Sequence, residues 1–193
     1  MTNTSSPTRV VLKNVRLAFP NLFEPRTDAD TGRKSFGAAL ILPTDHPQIA
    51  EIEAAMNAAG AAKWGDKWAI TKKGLEKQDR MALHDGDIKA KYDGYAGNMF
   101  INANSNENTP PTVVDQARNP LTKSSGKPYP GCYVNASIDF WAQKDHPKGG
   151  SRINAQLRGL QFYADGDSFS AGRPADADEF EDVSEGAGAD DFA

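Results

Sequence analysis

Apolar and polar positions alternate most cleanly between residues 129 and 162. Cys132, Val134, Ala136, Ile138 and Phe140 fall on one side; Tyr133, Asn135, Ser137, Asp139 and Trp141 fall on the other. Period-two alternation marks a strand with one face in a core. Residues 152–158 repeat it, with Ile153, Ala155 and Leu157 inward and Arg152, Asn154, Gln156 and Arg158 outward. Residues 144–150, with Pro147, Gly149 and Gly150, predict the loop of a β-hairpin. Upstream, residues 9–19 predict a first strand whose alternation slips at Asn14, as a β-bulge would cause. A polar loop is expected over 20–34, then a nearly all-apolar and hence central strand over 35–42. Residues 45–62 predict a helix: Asp45 as cap, Gln48 as its capping-box partner, Pro47 in the first turn, and Ile49, Ile52, Met56 and Ala59 as one apolar stripe. An irregular or partly helical excursion is expected over 63–80.

The remaining elements are short. Asp85-Gly86-Asp87 and Asp165-Gly166-Asp167 have turn composition. Residues 98–104 predict a strand with Met99, Ile101 and Ala103 inward and Phe100 and Asn102 outward, and 111–116 predict another. Five or six short strands, one helix and closely spaced turns point to a mainly β, α+β fold built on a small barrel.

Charge changes this picture. The net charge of −4 over 193 residues is unevenly placed. Residues 174–193 hold eight acidic side chains and no basic one, so the rest balances 22 basic against 18 acidic groups. A mildly basic body with an acidic tail suits a polyanionic ligand and a tail that competes with it. The tail lacks periodicity and large apolar residues and is expected to be disordered. The expected organisation is an arm over 1–8, a domain over 9–173 and the tail over 174–193. The polar start has no apolar core of a secretion signal, and no apolar run approaches the roughly 20 residues of a membrane helix. Cys132 is the single cysteine, and its inward position predicts a buried apolar role.

Catalytic chemistry finds little support. His46, His84, His146 and Cys132 are scattered without zinc-site spacing, and neither metal nor cofactor is expected. No phosphate-cradling glycine motif and no nucleophile elbow occurs. Asp85 with Asp87 leaves a metal-dependent nuclease as one alternative, and a virion scaffold as another.

The interleaving of basic and aromatic residues is more informative. Lys89, Lys91, Tyr92, Tyr95 and Phe100 lie close together, and Tyr129, Tyr133 and Trp141 fall in the hairpin region. Rings stack bases and cations neutralise phosphates. Lys89, Lys91, Arg152 and Arg158 are the candidate phosphate contacts. Tyr92, Tyr95, Phe100, Tyr133 and Trp141 are the candidate stacking rings, with Tyr129 beside them. Lys72 and Lys73, with Lys63, Lys67, Trp64 and Trp68, form a second candidate patch.

Four segments carry a family resemblance: Val-Arg-Leu-Ala-Phe-Pro-Asn-Leu-Phe (15–23), Asp-Gly-Tyr-Ala-Gly-Asn-Met-Phe-Ile-Asn-Ala (93–103), Tyr-Pro-Gly-Cys-Tyr-Val-Asn-Ala (129–136) and Ile-Asn-Ala-Gln-Leu-Arg-Gly-Leu-Gln-Phe (153–162). Over residues 9–172 the chain resembles a family of bacteriophage and prophage single-stranded-DNA-binding proteins, long catalogued as a domain of unknown function. The resemblance implies an OB-fold: a five-stranded barrel with inserted helices that binds single-stranded DNA without sequence preference. The tail, with Asp190, Asp191 and Phe192, resembles the acidic tails by which replication single-stranded-DNA-binding proteins recruit partners. The expectation is thus a non-enzymatic phage protein in the cytoplasm of the infected bacterium. It would coat single-stranded DNA in replication or recombination, with duplex DNA a second candidate ligand. Phage or host replication proteins would dock on the tail, and no membrane is expected as partner.

Overall fold

The computed structural model describes residues 6–169. The expected tail, with Asp190, Asp191 and Phe192, and most of the expected arm lie outside the described residues. Seven strands are formed: β1 (Arg9–Thr27), β2 (Lys34–Pro43), β3 (Leu83–Asp85), β4 (Asn98–Asn106), β5 (Thr112–Val114), β6 (Tyr133–His146) and β7 (Gly150–Ala164). Two helices, α1 (Ile49–Trp64) and α2 (Trp68–Lys77), are inserted between β2 and β3. The sheet order is β3-β4-β2-β1-β6-β7-β5. Within that order only β5 and β7 run parallel, and β4 pairs a second time, in parallel, with β7 through Ala103 with Ala155 and Asn104 with Gln156.

The inward sets expected on β6 and β7, with Ile101 and Ala103 of β4, are buried and join α1's Ile52, Ala55, Met56 and Ala59 in one cluster, against which the half-buried Met99 packs. Each such Leu, Ile or Phe contributes about 1.5–3 kcal/mol by leaving water. Cys132 is fully buried there, and burial pushes its thiol up from the usual range. β2 is central as expected: Phe36 to Leu42 are all buried, between β1 and β4.

The first strand departs from expectation. The slip at Asn14 is a register shift against β6 between Leu12 and Val15, with Asn14 at φ 54°. Beyond it β1 does not stop at a loop but continues to Thr27. Its prolines explain how. Pro20 and Pro25 lie within the register shifts between Ala18 and Asn21 and between Asn21 and Arg26, where the missing N–H breaks no ladder bond.

The helix also differs. It starts at Ile49, four residues later than the sequence predicts, and the capping box does not form. Gln48 instead serves β1: its Oε1 accepts from Lys13 N at 2.7 Å and its Nε2 donates to Val11 O at 2.9 Å. β2 pairs with β1 only from Arg16 onward, so these backbone groups have no strand partner, and the amide side chain supplies one.

In the excursion, Trp64 and Trp68 stack with centroids 5.6 Å apart, and Trp68 is buried over Gly60. β3 then pairs with β4, while Arg80 O accepts from Ile153 N at 3.0 Å. Residues 80–85 therefore stand between β4 and β7 where those strands diverge. The β6–β7 hairpin is longer than expected, its loop reduced to residues 147–149.

Candidate nucleic-acid interface

Strand pairing fixes which side chains share the outer face of β1, β2 and β4. Ala18 pairs with Ala39 and Ala39 with Asn102; Asn21 pairs with Gly37 and Gly37 with Asn104. Small residues thus form the floor, and the Asn102 and Asn104 amides stand exposed beside it. Gly37 leaves room for the Asn104 amide, which a Cβ at that position would displace. The cleft over this floor, about 360 Å³, is also lined by Phe19, Arg26 and Lys89.

Its rim is aromatic. Phe19 is 54 % exposed and Tyr92 41 %, and the rings meet edge-on at 5.2 Å. The register shift after Ala18 gives Phe19 a φ of 46°, which sets its ring outside the core. Lys91 Nζ lies 5.0 Å from the Tyr92 ring. Lys89 Nζ stands 4.6 Å over the Phe100 ring.

Tyr95 and Phe100 do not fit the stacking role expected of them. Phe100 does lie on the outer face, opposite Ile41, but residues 86–97 fold over it. It is buried with Tyr95, Ala18, Ala39 and Ile41 in a second small cluster, against which Phe169 packs. Gly86 and Gly94 permit this covering: a side chain on Gly86 would strike the Tyr95 carbonyl, and one on Gly94 the Phe169 ring. Burial, with a smaller contribution from Tyr92, pushes the Tyr95 hydroxyl up to about 12, and that hydroxyl has no partner among the described residues.

The outer face continues past β4. Asn104 pairs with Gln156 and Gln156 with Asp139; Asn154 pairs with Trp141 and Arg152 with Gln143. Trp141, 47 % exposed, and Arg152 therefore stand on the same face as the asparagine floor. Arg158 does not: it lines a separate cleft of about 400 Å³ with Arg9, Val11 and Thr112, over β1, β6, β7 and β5.

Tyr129 and Tyr133 hold the segment after β7. The Tyr129 hydroxyl donates to Asp165 Oδ1 at 2.8 Å and accepts from Gly166 N at 3.1 Å. Burial leads the causes that raise its pKa, while that hydroxyl, with Lys127, holds the Asp165 carboxyl below its usual range. Tyr133 lies under Arg16, which donates to the carbonyls of Asp167 at 2.7 Å and Gly131 at 3.2 Å.

Lys72 pairs with Glu76 and Lys73 is exposed, and neither lines either of the two clefts. Asp85 accepts from Asp87 N at 2.9 Å and Asp87 from Gly97 N at 2.8 Å, so both carboxylates serve the turn. Among the described residues no group of three or more His, Cys, Asp or Glu could hold a metal ion, and no helix is long and apolar enough to cross a membrane.

Phe19, Arg26, Asn102 and Asn104 join this face without being singled out by the sequence pattern. The available signal was the aromatic just before Pro20 at the slipping end of β1, and the amides alternating with Ile101 and Ala103.

Known proteins share this fold. The single-stranded DNA-binding protein from bacteriophage Enc34, solved in complex with single-stranded DNA, superposes with a TM-score of 0.64 at 25 % identity, covering 84 % of this chain and 90 % of that one. T7 gp2.5, a single-stranded DNA binding protein, shares the fold at 11 % identity with a TM-score of 0.56, covering 87 % and 98 %. The architecture is thus α+β and OB-fold-like. Protein p50 of Acyrthosiphon pisum secondary endosymbiont phage 1 is 40 % identical over 179 residues, 91 % of this chain and 94 % of that protein. The profile of the family described by the Enterobacter phage Enc34 ssDNA-binding protein matches residues 8–193. The chain belongs to that phage single-stranded-DNA-binding protein family.

Proposed function

We propose that this protein binds single-stranded DNA without sequence preference, on the outer face that runs from Phe19 and Tyr92 across Asn102 and Asn104 to Trp141. The supporting observation is the likeness to the Enc34 protein in its single-stranded DNA complex, together with a small-residue floor on this chain rimmed by exposed rings and cations. In this reading β1, β2, β4, β7 and β6 form a five-stranded OB barrel that the short β4–β7 pairing closes. OB-folds bind oligonucleotides across the strands equivalent to β2 and β4 here.

The division of labour follows from exposure. Phe19, Tyr92 and Trp141 stack bases, each contact contributing about 1–3 kcal/mol. Lys89, Lys91, Arg26 and Arg152 neutralise phosphates. Asn102 and Asn104 offer both donors and acceptors, which suits any base edge. Tyr95 and Phe100 support the floor from beneath the covering segment. Coating of this kind protects a strand from nucleases and re-annealing during phage replication or recombination. The acidic residues 174–193 recruit replication proteins and weaken DNA binding when unoccupied.

Fluorescence anisotropy with a labelled oligothymidine and a matched duplex, over a salt series, tests the reading. Preference for the single strand, with affinity falling steeply as salt rises, supports it. Absence of binding at low salt refutes it.

A further inference from the structure

We propose that Arg80 and Arg152 form a phosphodiester-binding pair at the β6–β7 hairpin, gripping a DNA strand that runs past Trp141. This rests on the DNA-binding reading above and extends it to a contact outside the cleft.

Both guanidiniums converge on Gly149 and Gly150. Arg80 follows α2, and its carbonyl accepts from Ile153 N at 3.0 Å, which fixes its backbone to β7. Its Nη1 donates to Gly149 O at 3.4 Å and occupies space that a side chain on Gly150 would claim. Arg152 comes from β7 itself: its Nε and Cζ stand 3.9 and 4.0 Å from the position a Cβ on Gly149 would take. The two glycines thus leave a gap in the side-chain layer, and a cation enters from each side.

The pair lacks an anion. Neither guanidinium makes an ion pair among the described residues, whereas Arg9 pairs with Asp139 at 3.3 Å. Asp145, on the same hairpin, is occupied by the Ser151 hydroxyl at 3.2 Å. Arg152 Nε is buried with no hydrogen-bond partner. Two like charges over one dipeptide repel, and a donor without an acceptor is costly to keep from water. A tetrahedral anion with several acceptor oxygens answers the first condition, and guanidiniums are the groups that grip it in bidentate fashion.

Position selects the phosphodiester of a bound strand as that anion. Arg152 lies one outward step along β7 from Asn154, the partner of Trp141. A strand stacked across Asn102 and Trp141 therefore meets the hairpin next, where exposed Lys148 adds a third cation.

The test uses the full chain with oligothymidines of about 4 and about 12 nucleotides, within the range of single-OB site sizes. Arg152→Gln breaks no side-chain hydrogen bond of Arg152 among the described residues, so it is the cleaner variant; Arg80→Gln is the second. Arg80→Gln is expected to leave affinity for the short strand unchanged. Each variant should lower the salt slope for the long strand by about 0.7, the value of one phosphate on a single strand. Arg152→Lys should restore that slope. An unchanged long-strand slope in both Gln variants, while Phe19→Ala still loses binding, overturns the pair and leaves the groove standing. Failure of the unaltered protein to bind either length overturns both.

Discussion

The Phe19 ring stands edge-on to Tyr92, with centroids 5.2 Å apart and planes at 85°, and both rings are half exposed above the asparagine floor. Neither ring belongs to the buried clusters, so their exposure is not explained by packing. Phe19→Ala and Tyr92→Ala are each expected to weaken binding of an oligothymidine about 5- to 150-fold, the equivalent of losing 1–3 kcal/mol of stacking. The double variant should lose less than the sum, because each ring positions the other. Anisotropy titrations measure all three. Affinities within twofold of the unaltered protein would remove this rim from the interface.

The hairpin, the central apolar strand and the bulge at Asn14 were legible in the sequence because each depends on local alternation. The site was only half legible. Phe100 and Asn102 both point away from the main core, as the period predicts, yet Phe100 is buried and Asn102 is not. The difference lies in residues 86–97, which cover one part of the face and spare the next. That covering is a tertiary contact, set by Gly86, Gly94 and Phe169, and no periodicity reports it. Similarly, Gln48 matches a capping box by spacing, but the unpaired backbone of Val11 and Lys13 competes for its amide and wins.

Tyr95 tests the covered part. Its ring is fully buried, and its hydroxyl has no partner among the described residues. Tyr95→Phe removes the orphaned group and keeps the ring, so stability should be unchanged or higher by about 1 kcal/mol. Tyr95→Ala should cost about 3–5 kcal/mol by opening a cavity. Urea denaturation followed by tryptophan fluorescence gives both values. A Tyr95→Phe variant that loses stability would mean the hydroxyl has a partner after all.

Trp68 separates structure from binding in the basic excursion. Its ring stacks on Trp64, lies over Gly60 and donates from Nε1 to Asn57 Oδ1 at 3.3 Å. Gly60→Ala would press a methyl into the ring, and it is expected to cost about 1–3 kcal/mol of stability without changing DNA affinity. On the same reasoning Lys73→Gln should leave the salt slope unchanged, whereas Lys89→Gln should lower it by about 0.7. A lowered slope in Lys73→Gln would bring α2 into the interface.

Acid should loosen the segment that covers Tyr95. The Tyr129 hydroxyl and then Lys127 hold the Asp165 carboxyl below its usual range. A carboxyl depressed in the folded state stabilises fully above its unfolded pKa, about 3.9, and the contribution disappears as pH falls through the folded value. Asp28 and Asp115 are depressed too, by hydrogen bonds from Thr31 and Asn119, so the whole protein should lose stability on acidification. Asp165→Asn isolates one part of this. It keeps an acceptor for Tyr129 but removes the titration and the 3.3 Å ion pair with Lys127. The variant should melt lower than the unaltered protein at pH 7, and the gap should begin to close only below about pH 4. Thermal melts by circular dichroism between pH 2 and 7 measure the gap. One that stays constant with pH would show that Asp165 contributes through hydrogen-bond geometry alone, and that its charge has no part in holding residues 165–169 over the second cluster.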